Sequence, residues 1–444
     1  MKIEKLLVAI FLTAILIFGW VSFIINEKSN LTDYKNNIAQ ANQWVGDGLY
    51  QRAISKYKSA ISYKSTEETW TLLFNAYEKR LQEDTNILSD YIDSLEQATT
   101  IYPTNVMFLT KLSDLYIKSN ELDLAYNLIC TAIENGVTDD GLLSLKDRVQ
   151  YSFSLDSRTF DSVRGLSNSN YTVSNNGMWG CLESDSTVSK DCVYKYISPL
   201  GSDGVRVYTT NSNGSILVDS NNVKLGIFSF NVTDSGVYSC GYIPALNNGK
   251  YKYYNSFAKE VFGEYDYAGS FQNNIAPVKI GSKWVFINTN GETISEKFSD
   301  VVVNNIGQFC FNNLIVVSND KGKYYLLNEK LEVLNDFSAD YIDICSDKDF
   351  IAFKSGEKWG FVNSDGQVVI EPQYSEAKSF SNGLGAVSID GEWGFVNKAN
   401  KLVIECQFAD VDYFNTVGSC LVRTDVSNVD DIVMWQLLLL NLRF

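Results

Sequence analysis

The sequence predicts a multidomain α plus β protein. A single N-terminal transmembrane helix occupies residues 1–30, an α-solenoid of helical repeats 31–150, and an all-β repeat array 151–423, with an atypical apolar tail over 424–444. Three observations carry this reading. Leu6 to Ile25 is free of charge, residues 31–150 have helical apolar spacing, and Trp359-Gly360-Phe361-Val362-Asn363 recurs 34 residues later as Trp393-Gly394-Phe395-Val396-Asn397. Residues 359–380 and 393–414 share ten identities in 22 positions. A repeat at such a period means small units that bury their apolar faces by stacking.

The apolar run spans 20 residues, enough to cross a ~30 Å hydrocarbon core as a helix. Lys2 and Lys5 precede it, so the bulk of the chain is expected outside the cytoplasm, at a cell membrane crossed once. A cleaved signal peptide is the competing reading. The run is longer than an ordinary signal core and lacks a small-x-small site, which favours an uncleaved signal anchor.

Composition narrows the chemistry. Of 444 residues 45% are hydrophobic and five are proline, as in an ordered chain. Fifty-three acidic residues against 37 basic ones give a net charge of −16, and without a basic cluster no nucleic-acid partner is expected. No histidine occurs, which removes the commonest general base and zinc ligand. The eight cysteines form no Cys-x-x-Cys pair, so metal spacing is missing and buried thiols are expected.

In residues 106–139, Leu112, Ser113 and Tyr116 share one helix and Ala125, Ile129 and Ala132 the next. Ala41, Trp44, Ala53, Tyr57 and Ala60 repeat those offsets, and Leu73, Tyr77, Tyr91, Leu95, Ala98 and Pro103 form a longer third unit. This large–small–aromatic pattern resembles the tetratricopeptide repeat (TPR), with Asp139 to Gln150 as a capping helix. The resemblance implies a concave groove for an extended partner segment. Carried over, the groove positions are Asn42, Thr110, Asp114 and Lys118, each also an ordinary solvated helix position.

Beyond Tyr151 short alternating runs are broken by Gly, Asn, Asp and Ser, the pattern of strands and tight turns. Asp390-Gly391 marks a hairpin. In each unit the Trp offers a large apolar face, and the adjoining Gly leaves room for a close neighbour at the junction between units. The repeat-defining residues are Trp179, Gly180, Trp284, Trp359, Gly360, Trp393 and Gly394. Weaker copies at Leu225-Gly226 and Tyr324 bring the expected count to six units. Ala268-Gly-Ser-Phe271 through Trp284 also aligns without a gap with Ala377-Lys-Ser-Phe380 through Trp393.

These units resemble the bacterial WG-repeat family, which implies repeated β-units, often at the cell envelope and beside helical repeats, with no established enzymatic activity. Closure into a propeller and an open β-solenoid both remain open. The resemblance supplies no catalytic residue and no cofactor. Glu371 and Glu405, equivalent and 34 residues apart, read as a repeated structural device, because a catalytic pair occurs once in one cleft. Tyr251, Tyr253, Tyr254, Tyr265 and Tyr267 fall in what reads as an irregular insertion and form a candidate binding loop.

The expected function is therefore non-enzymatic: a membrane-anchored scaffold or recognition protein whose partner is an envelope protein or a cell-wall component. A surface protein that binds cell-wall glycan through the β array, or acts on it, is the alternative. A seventh Trp-Gly, 34 residues after Trp393, would fall at Ser427, where the pattern breaks. The apolar tail beyond it is expected to lie loosely held or to mark a truncated unit, with docking as a cap the other possibility.

Overall fold

The computed structural model describes residues 20–21, 27–201, 203–210, 214–425 and 433–441. It divides into two compact units, Met1–Val149 and Gln150–Phe444.

The first unit is helical. A helix over 27–46 is followed by Tyr50–Tyr63, Glu67–Leu81, Leu88–Ile101, Val106–Lys118, Leu122–Glu134 and Asp140–Gln150. Side-chain caps set several starts: Thr66 accepts from the Thr69 N–H, Asn105 from Phe108 and Asp139 from Leu142. Ala41, Ala53, Ala60, Ala98 and Ala125 are fully buried, and small residues there let helices approach closely. Rings fill the rest, with Tyr77 stacked on Tyr91 at 5.0 Å and Phe74 edge-on to Phe108 at 5.1 Å.

Among the described residues no helix is long and apolar enough to cross a membrane. That finding corrects the expected single-pass anchor and the cell-membrane placement built on it. The run Leu6 to Ile25 lies outside the described residues except for Trp20 and Val21.

The second unit is an eight-bladed β-propeller of eight antiparallel sheets. Blades 1–8 cover 162–194, 196–227, 235–265, 267–298, 300–339, 341–374, 376–408 and 410–440, the last completed by Phe153–Leu155. Every blade–blade interface is filled by an apolar cluster. Phe361 of blade 6 meets Phe380 and Val387 of blade 7, and Tyr171 and Val173 of blade 1 meet Leu421 and Leu437 of blade 8. Alternation along a strand sends successive side chains to opposite faces, so each blade feeds two interfaces.

Six units were expected and eight are present. Pairing register explains the difference. In blade 7 Trp393 stands opposite Ser388 on one side and Phe408 on the other. The same place is held by Trp179, Trp284, Tyr324 and Trp359, and also by Tyr251 and Trp435. Tyr251-Lys-Tyr-Tyr-Asn255 is thus a repeat strand with Tyr for Trp and Lys for Gly. This corrects the reading of an irregular loop: Tyr251, Tyr253, Tyr254 and Tyr265 lie on blade 3 strands and are buried, Tyr253 fully. Leu225-Gly226 instead lies on the fourth strand of blade 2.

The tail reading is corrected too. Val433–Leu440 pairs with Ser419–Asp425 on one edge and with Phe153–Leu155 on the other, Phe153 opposite Leu440. The run is apolar because it is an interior strand, with Leu437 and Leu438 fully buried. The last Trp falls 42 residues after Trp393 rather than 34, since the hairpin before it is longer. The ring is closed by one strand from the start of the unit and three from its end, which leaves no free edge at the seam.

Candidate functional site

The repeat strand first explains its own glycine. In blades 1, 6 and 7 the fourth strand bulges over it, so the two steps from Trp393 to Phe395 face the four from Phe408 to Ile404. A Cβ on Gly394 would sit 2.5 Å from the Ile404 carbonyl oxygen, and one on Gly180 2.6 Å from that of Lys190. Gly360 is crowded by Ile370 in the same way. The close neighbour is therefore the blade's own outer strand, not the next unit as expected. Where Val285 and Tyr325 replace the glycine, in blades 4 and 5, the fourth strand shrinks to isolated bridges such as Trp284 with Phe298 and Tyr324 with Ala339. Blade 3 has Lys252 there and moves the glycine across the ladder, to Gly263 at φ +109°.

The strand ends in a repeated turn. Asn255, Asn288, Asn328, Asn363 and Asn397 each accept backbone N–H bonds from residues two and four positions on, at 2.8–3.1 Å. The asparagine that closes these five repeat strands is thus a turn device.

The innermost strands form the wall of the central channel. They read Tyr341-Ile-Asp343 in blade 6, Glu376-Ala-Lys378 in blade 7 and Asp410-Val-Asp412 in blade 8. The middle residues Ile342, Ala377 and Val411 are buried between blades. Asp343, Lys378 and Asp412 line a cavity of about 550 Å³ with Tyr341, Tyr413 and Phe311. Blade 5 bounds it through the loop Asn304–Gln308, whose Asn305 side chain accepts the Gly165 N–H of blade 1 at 2.9 Å. Blades 1 and 5 stand opposite each other on an eight-membered ring, so this loop spans the channel. On its other flank the Gly307 carbonyl accepts the Ser270 N–H at 2.7 Å.

A second, smaller cavity of about 270 Å³ also touches Asn304 and Asn305, and is lined by Asp234, Tyr251 and Tyr267. Of the five tyrosines singled out in the sequence, these two reach the channel. Asp234 is already engaged there, by the Tyr251 hydroxyl and by Arg164 at 2.8 Å. Arg164 also lies over the Trp179 and Tyr196 rings, as Lys378 lies over Trp393 at 5.2 Å.

Charge in the larger cavity is unevenly met. Lys378 bonds Asp410 at 3.1 Å and the Val411 carbonyl. Burial alone would lower its pKa, but Asp410 and Asp412 outweigh that and hold the ammonium above its ordinary value. Asp343 accepts the Tyr413 hydroxyl, 2.6 Å from its nearer oxygen, and the Ser379 N–H at 2.8 Å. Among the described residues, the Asp412 carboxylate accepts only from the adjoining Tyr413 N–H at 2.9 Å. Burial raises both carboxyl groups above the ordinary carboxylate value, against those hydrogen bonds and the field of Lys378.

Most of the remaining sequence candidates have local structural partners of their own. Trp179 and Trp359 are half-buried and Trp284 and Trp393 buried, all as blade packing. In the helical unit Asn42 accepts the Tyr57 hydroxyl at 2.5 Å, and Asp114 lies 3.5 Å from Arg148. Thr110 is half-buried and Lys118 exposed on that same helix. Sequence reading missed the channel residues because most of the innermost strands, those of blades 6 and 8 among them, are only two residues long. Their signal, a small or β-branched residue between two polar or aromatic ones once per unit, emerges only with the register known.

No curated protein matches the chain. Solved structures that it resembles include PorZ, a bacterial surface component of the type-IX secretion system of Porphyromonas gingivalis, at 8% identity and a TM-score of 0.33 over 62% of this chain and 43% of that one. The chain thus spans less than half the length of PorZ. The Dos1 propeller matches at 11% identity and a TM-score of 0.41, over 65% of this chain and 94% of the other. Hsv2 of Kluyveromyces lactis matches at 10% and 0.35, over 61% and 94%. In the chain itself, residues 253–284, 359–393 and 393–416 match the WG containing repeat.

Proposed function

We propose that the protein is a non-enzymatic recognition scaffold whose propeller takes part of a partner protein into the larger channel cavity. One observation carries the reading: five blades contribute to a single recess of about 550 Å³, within the roughly 300–1,000 Å³ of ligand sites. The helical unit, read as a tetratricopeptide-type array of hairpins, would hold an extended segment of the same partner. Against catalysis stand the lack of histidine and the place of Glu371 and Glu405, exposed on the outer strands of two different blades. A glycan ligand is less well served. The five amide side chains lining the recess, Asn304, Asn305, Gln308, Asn312 and Asn415, each already bond within the protein.

The test is a cross-linked capture with the full chain and with Phe311→Arg, which fills the recess. A protein partner recovered by the wild type and lost by the folded variant supports the proposal. Equal recovery overturns the recess as the recognition surface, and retention on purified polysaccharide instead of protein overturns the partner class.

A further inference from the structure

The larger cavity also carries information about what enters it. Two carboxylates and one ammonium line it, and the ammonium is spent on Asp410 and a backbone carbonyl. No lysine or arginine among the described residues comes within ion-pair distance of Asp343 or Asp412. Asp343 is at least hydrogen-bonded, by a hydroxyl and a backbone N–H. Asp412 has a single donor among the described residues, its own neighbour's N–H, and lines the recess. A carboxylate in such a recess with no cation in direct contact, only the field of Lys378, is costly, and a cation brought to it recovers much of that cost. The surrounding rings of Tyr341, Tyr413 and Phe311 suit the same occupant, since aromatic faces attract cations.

We propose that the recess binds an alkylammonium or guanidinium group at Asp412, with Asp343 as the second anion and the tyrosine rings as walls. This rests on the recognition reading above and specifies it. The source of the group is either a lysine or arginine side chain of the partner or a free amine. A neutral ligand would leave Asp412 as it stands, and an anionic one would meet repulsion from two carboxylates.

Calorimetric titration of the full chain with N-acetyl-lysine methylamide, N-acetyl-arginine methylamide, the norleucine analogue and 1,5-diaminopentane tests it. Expected is binding of the cations with at least tenfold preference over norleucine. That preference is expected to fall about tenfold in Asp412→Asn and to persist in Glu371→Gln on the outer strand. Melting curves confirm that each variant is folded. Preference for the amino-acid amides over diaminopentane assigns the group to a peptide side chain, and the reverse to a free amine. Cations binding no better than norleucine, or binding a folded Asp412→Asn as well as wild type, overturn the proposal. If cations fail yet Phe311→Arg still loses the partner, the cation class falls and recognition stands. Cation binding with unchanged partner recovery does the opposite.

Discussion

The Ile404 carbonyl oxygen lies where a side chain on Gly394 would begin, 2.5 Å from the position of its Cβ. Backbone, unlike the end of a flexible side chain, cannot step aside cheaply. Gly394→Ala is therefore expected to cost about 1–3 kcal/mol, and Gly394→Val more. Urea unfolding checks it, and wild-type stability in both variants would show that the bulged outer strand yields freely. Trp393→Ala, which removes a ring that is 7% exposed, is expected to cost ~3–5 kcal/mol.

Leu438 is fully buried in the strand that closes the ring, against Phe408 and Phe414 among others. Leu438→Ala is expected to lose ~2–5 kcal/mol. Amide exchange gives an independent check: residues 434–440 are expected to be as protected as 393–397, and rapid exchange there would remove the closing strand.

Asp412 makes stability depend on pH in an unusual direction. Its carboxyl pKa is raised in the folded protein, by burial above all. A raised pKa means the folded state holds the proton more tightly, so ionisation costs stability. That cost is absent below the unfolded value near 3.8 and complete above the folded one. Asp412→Asn is accordingly expected to stabilise at pH 8. The gain is expected to vanish toward pH 4. Thermal melting from pH 4 to 8 reads the difference, and a gain that grows on acidification would contradict the account.

Arg206 is 5% exposed and bonds Asn170 at 2.8 Å and the Cys181 sulfur at 2.6 Å, with no carboxylate at ion-pair distance among the described residues. Its Nε has no partner there. A buried cation so poorly compensated is a net cost, and Arg206→Met is expected to be neutral or stabilising by up to about 2 kcal/mol. Denaturant titration decides. A loss of several kcal/mol would mean that Arg206 organises the interface of blades 1 and 2.

Sequence reading recovered what each unit repeats and missed what the ring requires. Trp359-Gly360 and Trp393-Gly394 were legible because identical contacts select identical residues, and Asp390-Gly391 because both residues need positive φ, here +53° and +89°. Tyr251-Lys252 was illegible as a repeat because the glycine's task had moved to Gly263. Trp435 was illegible because a longer hairpin broke the 34-residue spacing. The channel was least legible of all. Asp343, Lys378 and Asp412 come together only because eight sheets share one axis, a relation that no local pattern encodes.

Phe153 and Leu440, partners in one ladder, are 287 positions apart in the chain. During synthesis the propeller therefore cannot close until its last strand has left the ribosome. Through most of that time Tyr171 and Val173 of blade 1 lack the Leu421 and Leu437 that cover them in the finished ring. Contacts of such long sequence separation form late and slowly. The uncovered seam is then an aggregation-prone edge that a chaperone would have reason to hold. Moving the chain ends to another blade by circular permutation would shift that exposed seam without changing a single residue of the interfaces.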